Sequence, residues 1–172
     1  MKMSRTTQSS SDFAFYVPGK YKPEQSLGYL MKKVLSSILQ EADRRLSSFD
    51  LTYVQWLPLY KLAQNEDITL ASLSRDLQID PAAISRSLDR IESKGLIHRR
   101  RSLSDRRVVH LELSIEGREV AEDVKGVLAD VLNDHLKGFS FEEWTTMLEL
   151  LRRMLINGNA LKDQLLDADQ SA

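Results

Sequence analysis

Residues 69–113 constrain this chain more than any other stretch. They comprise a short segment with an apolar face, a tight turn, a second segment opened by Asp80-Pro81, and the arginine-loaded run IHRRRSLSDRRVVHLEL. Asp80 is suited to accept hydrogen bonds from the free N–H groups of a helix start, Pro81 fits the first helical position, and Gly95 supplies a left-handed stop after Lys94. Two helices at this spacing followed by a basic hairpin form an arrangement that lays one helix in the DNA major groove and extends a loop toward the minor groove. In the second helix Ile84, Leu88 and Ile91 make the inward stripe, so Ala82, Ser85, Arg86, Asp89 and Arg90 face outward.

That outward face carries side chains matched to base edges. Arg86 or Arg90 can fork onto guanine, Ser85 can donate or accept, and Ala82 lets the helix approach closely or touch a thymine methyl. Ser72 and Arg75, on the preceding helix, are placed to meet phosphate. Downstream, residues 96–101 and 108–113 read as strands. Val109, Leu111 and Leu113 alternate with Val108, His110 and Glu112, the period of a half-buried strand. The loop between them is a wing whose Arg106 and Arg107 can enter a narrow minor groove, where the potential is most negative. Asp105 would be repelled by phosphate, and its expected task is to brace an arginine through a charge-assisted hydrogen bond.

Charge distribution points the same way although the total does not. The 172 residues carry a formal net charge of −1. Between Arg86 and Arg107, eight basic residues stand against three acids, which puts +5 there and −6 on the remainder. A basic patch on an acidic body attracts phosphate locally without making the whole protein adhesive. The chain has no cysteine, which excludes disulfides, thiolate zinc sites and thiol-based sensing within it. His98, His110 and His135 lack metal-ligand spacing, so a zinc-responsive regulator is the weaker alternative. A winged-helix protein-docking module is another, but it leaves the basic hairpin unexplained. No glycine-rich phosphate loop or nucleophile–base set marks an enzyme, and no cofactor or metal is expected. No apolar run approaches the roughly 20 residues of a membrane span, and residues 1–12 contain no apolar signal segment, so the expected location is cytoplasmic.

The flanks read as helix. Residues 1–24 form a flexible arm, polar at first and then aromatic, broken by Pro18-Gly19 and Pro23. From Gln25 to Leu46, apolar positions from Leu27 through Leu30, Met31, Val34 and Leu35 to Ala42 and Leu46 recur at three and four. Thr52 and Gln55 make a capping box for a helix ending near Gln64, in which Pro58 predicts a kink or a short first turn. A helix over 114–137 carries Val120, Val124, Val127, Leu128 and Val131. Ser140 with Glu143 caps another, carrying Trp144, Met147, Leu148, Leu151 and Met154. These stripes exceed what one small winged domain can cover, and pairing across a two-fold axis buries them. Such a dimer would read a pseudo-palindromic site with half-sites roughly 34–36 Å apart. The fold expected is therefore mainly α with a small β-hairpin wing. A winged helix-turn-helix domain over 51–113 is joined to dimerisation helices over 25–50 and 114–172.

Three segments carry a resemblance to a known family: DLTYVQWLPLYKL, DPAAISRSLDRIESKGLIHRR and SDRRVVHLELSIEGRE. With them stand Asp105-x-Arg107 and the Leu-x-Leu-Ser-x-x-Gly of residues 111–117. From about Leu27 to Met154 the chain resembles the MarR (multiple-antibiotic-resistance regulator) family of winged helix-turn-helix transcription factors. The resemblance implies a homodimer that represses transcription and leaves its operator when a small effector binds. It also implies an aromatic acid or phenol, such as a hydroxybenzoate, held near the second helix. Carried onto this sequence, that site comprises Tyr53 and Trp56, with Tyr29 and Lys33 as neighbours and His110 as a carboxylate partner. Stacking rings with a hydroxyl and a cation would suit such a ligand, although Tyr53 and Trp56 read equally well as core aromatics.

Overall fold

The computed structural model describes residues 14–65, 68–102 and 108–170, the last six for backbone only. Helix α1 (Leu27–Leu46) starts where the Ser26 hydroxyl accepts from the Tyr29 N–H at 3.2 Å. The helix expected from Gln25 thus begins two residues later, because Pro23–Gln25 form a separate 3-10 turn. The chain then turns through Asp50, which adopts the left-handed region at φ 53°. It enters α2 (Tyr53–Gln64), where the Gln55 side chain accepts from the Thr52 N–H at 3.2 Å, the expected capping pair. Pro58 does not end this helix, which continues through it to Gln64.

Next come β1 (Ile68–Thr69), α3 (Leu70–Leu77), α4 (Pro81–Ser93), β2 (Ile97–Arg101) and β3 (Val109–Leu113). The hairpin is as read, with Arg99 opposite Leu111 and Arg100 opposite His110. The expected two-stranded wing, however, gains a third strand. β1 pairs antiparallel with β3, Ile68 opposite Leu111, in the order β1-β3-β2. Two residues are too few for period-two alternation, so this strand is defined by its partner alone.

Leu46, Leu51, Trp56, Leu59, Leu62, Leu73, Ile84, Leu88, Ile91, Leu96, Ile97 and Leu111 close one core, completed from α5 (Ile115–His135) by Ala121 and Val124. Gly117, in the first turn of α5, shows why that position is glycine. A Cβ there would lie 1.9 Å from the Leu96 carbonyl oxygen. The same carbonyl accepts from the Ser114 N–H at 3.1 Å, and the Ser114 hydroxyl accepts from the Gly117 N–H at 2.9 Å. These contacts tie the end of β3 to the start of β2.

α1 packs on α5 through its second half. Arg45 bonds both Glu41, at 2.6 Å, and Asp134, while Ser37 meets His135 at 3.1 Å. Its first half is uncovered: Leu30 is 53% exposed, Val34 54% and Leu35 56%. α6 (Phe141–Gln170) begins with the expected reciprocal cap between Ser140 and Glu143. Among the described residues no element packs extensively along it, and Met154, Leu155 and Ile156 stay exposed.

Candidate nucleic-acid interface

α4 is anchored at both ends by local chemistry. The Asp80 carboxylate accepts from the N–H groups of Ala82 and Ala83, both at 3.0 Å, and Pro81 needs no partner there. At the other end Gly95, at φ 74°, reverses the chain so that the Leu96 N–H reaches the Ile91 carbonyl at 3.1 Å. Ile84, Leu88 and Ile91 are fully buried. Ala82, Arg86, Asp89 and Arg90 are exposed and Ser85 is half-buried, so one helix face is presented to solvent as read from its spacing.

Charge on this surface is more finely divided than the count of basic residues suggests. Arg99 of β2 donates to Asp89 at 2.6 Å and to the Ser85 carbonyl at 3.2 Å, and its own N–H donates to Glu92 at 3.2 Å. Its guanidinium therefore clamps the wing to α4. Arg100 pairs with Glu112 across the hairpin at 2.9 Å, and Lys94 pairs with Asp50 at 3.0 Å. Arg86 and Arg90 on α4 and Arg101 at the end of β2 are exposed. Asp105, Arg106 and Arg107 lie outside the described residues.

The preceding helix divides its two expected phosphate contacts. Arg75 is exposed, near the end of α3. Ser72 is held in a capping box: its hydroxyl donates to the Thr69 carbonyl at 2.9 Å and accepts from the Thr69 N–H at 3.0 Å, so it serves the start of α3.

The five expected effector residues do not converge within one protomer. Tyr53 and Trp56 do meet, ring centroids 6.0 Å apart, and Trp56 stacks on Tyr60 at 5.0 Å. Lys125 of α5 lies over Tyr60 at 5.6 Å. Burial pushes the Tyr53 phenol up, so it keeps its proton near neutrality. Trp56 is itself buried, with its indole N–H 3.4 Å from the Ala121 carbonyl. Tyr29 and Lys33 belong to the exposed half of α1. The Tyr53 N–H bonds Asp43 at 2.7 Å, and Lys33 lies about 15 Å, Tyr29 about 21 Å, along the helix from Asp43. His110 neighbours Leu111 on β3, so its side chain leaves the face opposite the one buried in the core. Tyr60 was legible as the next turn after Trp56, but Lys125 had no signal, since only packing brings α5 there.

The MarR family model matches residues 51–109, the segment that holds α2 to the start of β3. Among solved structures, the S. aureus MepR–DNA complex superposes with a TM-score of 0.71 at 26% identity, covering 77% of this chain and 98% of that one. A mutant of E. coli MarR complexed with operator DNA gives 0.70 at 28%, covering 75% and 93%. The transcriptional regulator PA3341 gives 0.68 at 30% identity, covering 78% and 99%. The chain belongs to the MarR family. It is a DNA-binding transcriptional regulator with a winged-helix fold. In this MarR-family regulator α4 follows α3 after a short turn, and β2 and β3 form the wing.

Proposed function

We propose that this regulator is a homodimeric repressor that binds a pseudo-palindromic operator and is released by a small aromatic acid or phenol. The observation that carries the dimer is the uncovered apolar surface of α1 and α6. Phe15, Tyr16 and Leu27 on one side and Met147, Leu150, Leu151 and Met154 on the other line an open groove of about 1230 Å³. A second copy's terminal helices are the occupant proposed for it. Exposed apolar area of this extent is unfavourable in water and is covered when two copies pair. The unit over 51–113 then serves as the DNA reader, and the helices over 25–50 and 114–172 set the distance between two readers.

In this reading Arg86, Arg90, Ser85 and Ala82 face base edges, Arg75 and the Ser72 end of α3 approach phosphate, and Arg106 and Arg107 reach the minor groove with Asp105 as brace. The effector reading is supported by the ladder Tyr53, Trp56 and Tyr60 beside Lys125, in which ring faces adjoin a cation suited to a carboxylate. Tyr29 and Lys33 would join that site from the surface the dimer covers, whereas His110 is oriented away from it.

Sedimentation together with DNA titration tests the proposal. The expected result is a dimer whose DNA affinity falls steeply between low and moderate salt. A monomer that binds DNA equally well would overturn the dimeric reading. A thermal-shift screen with aromatic acids, followed by DNA release with any compound that stabilises the protein, tests the effector.

A further inference from the structure

Pro58 sits in the interior of α2 and has no N–H. In an unbroken helix the carbonyl four residues earlier, that of Val54, would accept from residue 58. Pro58 leaves this acceptor without its intrahelical donor. The structure fills the place from another helix: the Ser87 hydroxyl of α4 donates to the Val54 carbonyl at 3.1 Å. Ser87 is 6% exposed and Pro58 is fully buried, so the donor end of the bond is shielded from water, while Val54 on the acceptor side is 47% exposed. Ser87 also departs from the chemistry around it, since the other inward positions of α4, Ile84, Leu88 and Ile91, are aliphatic.

We propose that Ser87 is a positioning residue for DNA recognition, which sets the seating of α4 by bonding the α2 carbonyl that Pro58 leaves open. The inference rests on α4 being the recognition helix. Ser87 follows Arg86 directly, so the rotation at which α4 sits on α2 decides where the Arg86 guanidinium points. An apolar contact tolerates small rotations, whereas a hydrogen bond with one donor and one acceptor holds a narrow range of angle and distance. A second tether adds to it. Lys94, just after α4, pairs with Asp50 at 3.0 Å and also reaches the Asp50 carbonyl, so both bonds hang α4 from residues 50–54. That segment in turn holds α1 through the Tyr53 N–H and Asp43.

The chemistry supplies its own control, because Pro58→Ala restores the missing N–H, which takes the Val54 carbonyl from the serine hydroxyl and so releases the bond between α2 and α4. The test uses the full chain, a duplex selected by the wild-type protein from a random pool, and a scrambled duplex. It measures the preference between the duplexes for wild type, Ser87→Ala, Pro58→Ala and the double variant, with melting temperature recorded separately. Ser87→Ala is expected to lower the preference for the selected duplex about tenfold while Pro58 is present. Pro58→Ala alone is expected to lower the preference as well, and in its background Ser87→Ala is expected to change it no further. Equal loss in both backgrounds, or no loss in either, overturns the proposal. Should Ser87→Ala not fold, the comparison of Pro58→Ala with the double variant decides, a difference between them counting against it. Failure of the wild-type chain to select any duplex would instead overturn the assignment of α4.

Discussion

Arg86 and Gly117 show how differently two residues can matter. Arg86 is exposed and its replacement leaves the core intact, so its effect should appear in binding alone. Arg86→Ala is expected to cost about 1 to 3 kcal/mol on a selected site and to relax sequence preference, measured against random DNA. Equal loss on both duplexes would show that it touches phosphate only. Gly117→Ala acts in the opposite way. Its Cβ would meet a backbone carbonyl at 1.9 Å, which cannot yield as a flexible side chain can. The expected outcome is a loss of roughly 1 to 3 kcal/mol in stability, seen in urea unfolding with no change in the DNA sequence preferred.

At the scale of elements, the question is what holds the wing and the long helices in place. Arg99 joins β2 to α4 through Asp89, Glu92 and the Ser85 carbonyl, so its charge is already matched. Arg99→Ala is expected to weaken DNA binding by loosening the wing while leaving the slope of affinity against salt nearly unchanged. A phosphate contact would lower that slope by about one. On α1, hydrogen bonds from Arg44 and Arg45 hold the Glu41 carboxyl down at about 2, against an ordinary 4.5. A group whose pKa falls on folding stabilises the folded state above its unfolded pKa and loses that contribution as pH drops. The stability gained there is therefore expected to disappear as pH falls from about 4.5 to about 2. Glu41→Gln should flatten melting temperature against pH in that window, and an unchanged profile would remove Glu41 from the acid response.

For the whole molecule, the decisive feature is that half of α1 and most of α6 lack a partner among the described residues of one chain. Leu35→Glu and Met154→Glu alter residues 56% and 43% exposed in the protomer, so neither should unfold the winged domain. Both are expected to shift the protein toward monomer in sedimentation and to weaken DNA binding strongly, with helical circular dichroism largely retained. Dimers of unchanged stability would show that these faces serve another purpose. An effector at the proposed site beside Tyr53 and Trp56 would sit where α2 receives its ties from α1 and α4.

Local chemistry was legible in the chain by itself. Asp80-Pro81, Gly95, the Thr52–Gln55 and Ser140–Glu143 caps, and the stripe of Ile84, Leu88 and Ile91 all depend on neighbours within a few residues, so spacing is enough to read them. The outward face of α4 followed from the same periodicity, and the three motif segments carried the family. What the tertiary structure decided depends on residues far apart in sequence. It paired Ile68 and Thr69 with β3 and brought Lys125 over Tyr60. It separated Tyr29, Lys33 and His110 from Trp56, and bound Arg99, one of the eight basic residues counted in the patch, to Asp89 as a clamp. The same holds for Ser87 and Val54, 33 residues apart: Pro58 announces an acceptor without a donor, but only the packing of α4 on α2 shows which side chain supplies it.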